Sequence, residues 1–150
     1  MNLEFQKYVD RLPGLLQDLT SATALDRLDL RKIPKQGVYV FYEGGKAVYA
    51  GRSDNLKPYL MSQGVPSSNH FTAPIAFGIA KKEAIAAGYS FLKATSALQD
   101  VEFTPYFDKA KARVAEMRIR VVEVKDPIEQ SLLVIYASLA LQTDNEFETH

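Results

Sequence analysis

The 150-residue sequence contains no cysteine and only two histidines, His70 and His150. The lack of cysteine excludes structural disulfides, thiolate metal sites and cysteine nucleophiles. Two histidines, one of them terminal, argue against a multi-histidine metal site. No stretch approaches the roughly 20 apolar residues of a membrane span, and the charged N-terminal segment has no signal-peptide core. We therefore expect a cytoplasmic protein without a membrane partner.

Net charge is also absent, because 18 basic residues balance 18 acidic ones. This balance argues against strong sequence-independent binding to nucleic acid, which usually needs a basic excess. A local excess nevertheless occurs between residues 27 and 57. Its basic members are Arg27, Arg31, Lys32, Lys35, Lys46, Arg52 and Lys57, against Asp29, Glu43 and Asp54. Either a solvated surface or a binding face is consistent with this pattern.

Strand signals occur at two places in the chain. Residues 37–42 and 46–50 are rich in Val, Tyr and Phe and flank Glu43-Gly44-Gly45, which predicts a β-hairpin because glycine supplies the positive φ of tight turns. The alternation in RIRVVEVK, residues 118–125, predicts a third strand.

Helical spacing and caps predict the remaining elements. The first, residues 2–20, is two short helices or one helix kinked at Pro13, followed by a short turn capped by Ser21 or Thr23. The later helices are expected at 54 or 55 to about 62, 75–95 with a break at Gly88, 104–117 and 126–141.

This order predicts an α+β fold with a three-stranded, mostly antiparallel sheet, the hairpin plus the later strand, covered by helices. The simplest organisation is an N-terminal helical extension, residues 1–32, packed on a core domain of residues 33–150.

Two tyrosine-containing triplets stand on either side of the hairpin turn. Gly37-Val38-Tyr39 and Tyr49-Ala50-Gly51, with the helix after them and the final strand and helix, resemble the GIY-YIG nuclease superfamily, in a bacterial single-domain branch. The resemblance covers roughly residues 33–150. It implies metal-dependent hydrolysis of a DNA phosphodiester. A glutamate of the last core helix would hold one divalent cation, a hairpin tyrosine would help activate water, and an arginine of the first core helix would stabilise the transition-state charge.

Several positions match what the resemblance implies. Tyr39 and Tyr49 stand for the catalytic tyrosines, and strand alternation predicts that they lie close together. Gly51, Arg52 and His70 are the candidate substrate-binding residues, with Gly51 allowing a close backbone approach. The alternative for both tyrosines is simple packing on a half-buried sheet, since tyrosine favours strands. For Arg52 and His70 the alternative is a plain surface residue.

Two positions depart from the family pattern. Tyr59 stands in place of the arginine, and a neutral phenol lacks the fixed charge and bidentate fork of a guanidinium. Val134 stands in place of the glutamate, and an isopropyl group cannot bind a hard cation. Glu129, about 140° around the same helix, does not substitute for it. A smaller departure is Gln63, where the family pattern predicts a histidine.

The sequence therefore favours a GIY-YIG-like protein with lost or weak phosphodiesterase activity. It would bind nucleic acid, for example DNA, or a protein partner through the former active-site cleft, without a resident metal or cofactor. One alternative is an active DNA endonuclease that uses Mg²⁺ or Mn²⁺ with rearranged ligands, such as Glu83 or a carboxylate of a partner chain. A second alternative is a regulatory protein-interaction domain unrelated to nucleic acid.

Overall fold

The computed structural model describes residues 1–90 and 100–145. Over these residues the α+β class is confirmed. The helices are α1 (Leu3–Ser21), α2 (Leu56–Ser62), α3 (Pro74–Ala86), α4 (Thr104–Ala115) and α5 (Pro127–Leu141), and a 3-10 turn covers Arg27–Asp29. The strands are β1 (Leu25–Asp26), β2 (Gly37–Glu43), β3 (Lys46–Ser53) and β4 (Arg118–Glu123).

The chain divides into two compact units. One, the sheet unit, comprises Met1–Lys57 and Met117–His150, and the other, the helical unit, comprises Pro58–Glu116. The sheet unit holds α1, α5 and all four described strands, whereas the helical unit holds α3, α4 and most of α2.

The sheet has the order β1-β4-β2-β3, and each pair of neighbours is antiparallel. The expected count of three strands is therefore wrong, because Leu25 and Asp26 pair with Ile119 and Arg118 to add a fourth. A two-residue strand is too short to show an alternation pattern in the sequence. It is recognised only from its pairing with β4 in the structure. The short turn predicted after α1 is present as the 3-10 turn Arg27–Asp29, but its N-cap is Asp26 rather than Ser21 or Thr23. The Asp26 carboxylate accepts a hydrogen bond from the Leu28 amide.

The predicted hairpin between β2 and β3 is confirmed. Gly44 and Gly45, at its turn, have φ values of 57° and 82°. Two consecutive positive φ angles characterise the tight turn that matches the twist of antiparallel strands, and glycine adopts them without strain. The pairing places Val38 opposite Arg52, and it shifts register after Phe41.

One face of the sheet is covered by α1 and α5. The buried members of this aliphatic cluster are Leu12, Leu19, Val38, Val40, Ala47, Ala50, Val124, Leu133 and Ala137. Helix α1 runs unbroken through Pro13, although proline removes one intrahelical hydrogen bond. Burial of Leu12 and Leu19 offsets that loss, because tertiary packing rather than propensity supplies most helical stability.

The outer edge of β3 is covered by the chain that follows α5. The Asp144 amide donates to the Val48 carbonyl at 2.8 Å. The Asn145 side chain accepts from the Ala50 amide and donates to the Ala50 carbonyl, both at 2.8 Å. These contacts satisfy backbone groups that an open sheet edge would present to other chains.

In the helical unit, fully buried Gln63 organises the start of α3. Its Oε1 accepts from the Ile75 amide and its Nε2 donates to the Tyr59 carbonyl, both at 3.2 Å. The amide of Ile75, in the first turn of α3, has no intrahelical acceptor, so Gln63 replaces one. Gln63, where the resemblance predicted a histidine, thus has a structural role.

The boundaries of α3 and α4 differ from the predicted ones. Helix α3 ends at Ala86, before Gly88 with its φ of 94°, and the rest of the predicted helix, 91–95, lies outside the described residues. Helix α4 runs from Thr104 to Ala115, and the Thr104 hydroxyl donates to the Asp100 carbonyl at 2.9 Å. Over the part of the chain that is described, no helix is long and apolar enough to span a membrane.

Candidate nucleic-acid interface

The side chains of β2 alternate between the two faces of the sheet. Val38 and Val40 join the aliphatic cluster, so Tyr39 and Phe41 point to the opposite, aromatic face. There the Tyr39 and Tyr49 rings stack with centroids 6.4 Å apart, and Phe41 meets Tyr39 edge-on at 5.6 Å. The hairpin therefore brings the two candidate tyrosines together, as the alternation predicted.

Tyr39 is nevertheless only 1% exposed, whereas Tyr49 is half-buried. A buried ring cannot stack on a nucleic-acid base in this arrangement, because stacking requires an accessible face. Packing, the alternative left open by the sequence, accounts for Tyr39. Of the two rings, Tyr49 is the one that reaches solvent.

The two glycines of the motif have steric roles in the sheet. A Cβ at Gly51 would stand 2.3 Å from Tyr39 Oη and 2.5 Å from its Cζ, so the Tyr39 ring lies across the space that Gly51 leaves. A Cβ at Gly37 would stand 2.0 Å from the carbonyl oxygen of Val122 in β4. Both positions exclude any side chain for reasons that involve no phosphate.

Arg52 lies at the far end of β3, where it pairs with Val38. Its Nη1 donates to Gln130 Oε1 at 3.1 Å. Gln130 is fully buried, and its Nε2 donates to the Val124 carbonyl at 2.6 Å and to Asp54 Oδ1 at 3.4 Å. A buried amide thus fixes one nitrogen of an exposed guanidinium, which orients Arg52 at the surface. No motif or spacing in the sequence pointed to Gln130.

Val134 packs, half-buried, against the aliphatic cluster. The nearest carboxylate along α5, Glu129, is bound to Arg11 Nε at 2.6 Å and is largely buried. Within residues 1–90 and 100–145, no group of three histidine, aspartate or glutamate side chains converges as a metal site would require.

A hydrogen bond joins α1 to the N-terminus of α5. Tyr8 Oη donates to Asp126 Oδ2 at 2.7 Å, and Asp126 Oδ1 caps the helix by accepting from the amides of Ile128 and Glu129. The hydrogen bond from Tyr8 holds the pKa of Asp126 below its ordinary value and raises the pKa of Tyr8. The Tyr8 hydroxyl and the Asp126 carboxylate therefore stabilise the contact between α1 and α5 and are not placed for catalysis.

A second phenol–carboxylate pair lies in the helical unit. Tyr89 Oη donates to Asp100 Oδ2 at 2.7 Å. Burial and this hydrogen bond raise the pKa of Tyr89 to about 12, while the same bond lowers the pKa of Asp100.

Three further candidate residues belong to the helical unit. Tyr59 is half-buried in α2. The His70 ring centroid lies 3.9 Å from that of Phe71 and 5.6 Å from that of Phe77, and among the described residues its buried Nδ1 finds no hydrogen-bond partner. Glu83, the carboxylate of the endonuclease alternative, accepts from Arg113 Nη1 at 3.0 Å.

Two basic chain segments are joined by a backbone hydrogen bond beside the open end of the hairpin. The Leu56 amide donates to the Lys35 carbonyl at 2.8 Å, which joins the connection before β2 to the start of α2. We call the exposed cations of these two segments the basic strip: Arg31, Lys32, Lys35, Arg52 and Lys57. A groove of about 570 Å³, lined by Leu25, Asp29, Arg31 and Lys32, adjoins its N-terminal part. The local excess of basic residues in the sequence already included these five cations. It did not show that the Lys35 carbonyl joins the two segments.

Comparison of the chain with protein-family models, with curated proteins and with solved structures finds no match in any of the three.

Proposed function

We propose that this protein is a nucleic-acid-binding domain on a GIY-YIG-like scaffold that has lost efficient phosphodiester cleavage. The observation that carries the proposal is the basic strip, in which Lys35 and Leu56 join two basic segments at one end of the hairpin. The binding surface is then this strip, which includes Arg52, rather than the Tyr39 and Tyr49 rings on the aromatic face.

The strip suits contact with a phosphate backbone. Its five cations are exposed, and one of them, Arg31, has the Asp29 carboxylate 3.7 Å from its Nη2. Gln130 holds Arg52 in place before binding, which reduces the ordering cost of a phosphate contact. Neutralising three to five phosphates gives a slope of log K against log salt of roughly −3 to −4.5. Affinity is therefore expected to depend steeply on salt.

The residues at two catalytic positions support a loss of cleavage. Val134 contributes apolar burial to the aliphatic cluster, where an uncompensated carboxylate would cost desolvation. Tyr59 offers a neutral donor where the family chemistry uses a guanidinium, and loss of one preorganised charge donor typically lowers a rate by about a hundredfold to a thousandfold.

Binding is tested by fluorescence anisotropy with short labelled DNA and RNA, at about 50 to 300 mM salt. Lys32→Gln/Lys35→Gln/Lys57→Gln is expected to weaken binding at least about tenfold at low salt and to reduce the salt slope by about 3.

The matched control is Lys7→Gln/Lys46→Gln/Lys109→Gln, which removes the same charge outside the strip and is expected to change affinity less than about twofold. Equal losses in both triple variants would place binding elsewhere. No binding at low salt, with a defined protein recovered by pull-down, would favour the protein-interaction alternative.

Cleavage is tested separately with supercoiled plasmid and Mg²⁺ or Mn²⁺. The expected result is no nicking above the buffer control. Metal-dependent nicking that Tyr39→Phe abolishes would overturn the loss of activity and favour the endonuclease alternative. Tyr59→Arg/Val134→Glu tests the residue assignment itself, because a correct assignment predicts tighter Mn²⁺ binding in this variant, measured by calorimetry.

A further inference from the structure

The chain that follows α5 returns along the outer edge of β3, in the direction of that strand. The Asp144 amide donates to the Val48 carbonyl, and one residue later the Asn145 side chain holds both the amide and the carbonyl of Ala50. The point of attachment thus moves from Val48 to Ala50 as the chain moves from residue 144 to residue 145. The chain therefore advances away from the hairpin turn and towards Arg52.

Arg52 is the next cation along this edge. Alternation along β3 directs the backbone groups of Ala50 and Arg52 to the same edge, about 7 Å apart. Three residues of extended chain after Asn145 span up to about 10 Å, so the chain reaches Arg52 within residues 146–148. Lys46, the other basic residue of β3, lies in the opposite direction, beside the hairpin turn.

The residues that follow Asn145 carry the charge that complements Arg52. Residues 146–150, which we call the acidic segment, read Glu-Phe-Glu-Thr-His. The sequence has no lysine or arginine between residues 126 and 150, so neither the segment nor α5 offers its two carboxylates a lysine or arginine partner. Arg52 is exposed, and its contact with Gln130 uses one of the five N–H donors of a guanidinium.

We propose that Glu146 and Glu148 pair with the Arg52 end of the basic strip and compete there with nucleic acid. The inference rests on the nucleic-acid binding proposed above and adds a regulation of that same surface. Asn145 anchors the segment two residues of β3 away from Arg52, and so short a tether gives the carboxylates a high effective concentration there. Each exposed ion pair is weak and is screened by salt, so the competition is partial and fades as the salt concentration rises.

Fluorescence anisotropy with labelled DNA tests the competition. At about 50 mM salt, Glu146→Gln/Glu148→Gln is expected to bind about three- to tenfold more tightly than the wild-type chain. This gain is expected to fall below about twofold at about 300 mM salt, because screening weakens the exposed pairs in the wild-type chain.

The matched control is Glu102→Gln/Glu116→Gln, which removes the same charge at two exposed positions of the helical unit. It is expected to change the affinity less than about twofold. Equal gains in the two double variants would show a general effect of net charge and would overturn the inference.

A measurement without nucleic acid separates this inference from the proposed function. In the free protein, the NMR resonance of the Arg52 Nε–H group, assigned with Arg52→Lys, is expected to shift between wild type and Glu146→Gln/Glu148→Gln. A chain that binds DNA but shows neither this shift nor a gain in affinity overturns the inference and leaves the proposed function standing. The shift in a chain that binds no DNA, with or without the two glutamates, supports the contact with Arg52 and overturns the proposed function.

Discussion

The two faces of β2 carry different parts of the sequence pattern. The aromatic face holds Tyr39, Phe41 and, from β3, Tyr49 and Gly51, which are the residues that create the family resemblance. The aliphatic face holds Val38, Val40 and the helices packed on them, including Val134. The position that would supply a metal ligand thus packs with the aliphatic face, whereas Tyr39 lies on the aromatic one.

This comparison shows that packing alone accounts for the two glycines of the triplets. Gly37 and Gly51 both occupy places where a Cβ would collide with the sheet or with Tyr39. These constraints act whether or not the protein cuts a phosphodiester. Four predictions, from the largest expected effect to the smallest, test the contrast between the faces.

The largest effect is expected for Gly37→Ala. A Cβ 2.0 Å from the Val122 carbonyl meets backbone, so β2 and β4 must separate. We expect a loss of at least about 3 kcal/mol in the free energy of unfolding, measured by urea denaturation. Gly14→Ala in α1 is the control, because nothing lies within 4 Å of its added Cβ, and there we expect a gain of about 0.5–1 kcal/mol. A tolerated Gly37→Ala would contradict the steric role.

Gly51→Ala is expected to cost about 1–3 kcal/mol, because the Tyr39 ring must leave its place. Tyr39→Val removes the ring and also destabilises on its own. The double variant is expected to be at least about 1 kcal/mol more stable than the sum of the single losses, since one change relieves the other. Additive losses in chemical denaturation would show that the two residues do not share this space.

Val134→Glu tests the aliphatic face. A carboxylate against the apolar cluster is expected to lower the free energy of unfolding by about 1–3 kcal/mol. Val134→Ala separates the loss of packing from the cost of the charge and should lose less. Stability that is retained in Val134→Glu and rises with Mg²⁺ or Mn²⁺, seen in thermal melts, would mean that the position opens onto a metal-accessible cleft.

Tyr8→Phe should have the smallest effect, since it removes one partly buried hydrogen bond between α1 and the cap of α5. That bond lowers the pKa of Asp126 in the folded protein. Its contribution is therefore present above the unfolded pKa of aspartate, about 3.9, and is lost as the pH falls through the lower folded value. The difference in melting temperature between wild type and variant is expected to be constant from about pH 5 to 7 and to shrink below about pH 4. A difference that does not depend on acid pH would assign the effect to packing.

The sequence by itself determined the local elements of this protein. Gly44-Gly45 between two β-branched and aromatic runs specifies the hairpin, and Asp126-Pro127 specifies the start of α5, because glycine φ angles and capping hydrogen bonds act over a few residues. Strand alternation likewise predicted that Tyr39 and Tyr49 would meet.

Only the tertiary structure decided what depends on distant pairing. Leu25 and Asp26 become a strand because β4 offers a free edge, and Asn145 covers the other edge of the sheet through Ala50. The burial of Tyr39 and the fixing of Arg52 by Gln130 likewise depend on residues far away in the chain. Periodicity reports the face on which a side chain lies, whereas its neighbours on that face are set by the packing of the whole chain.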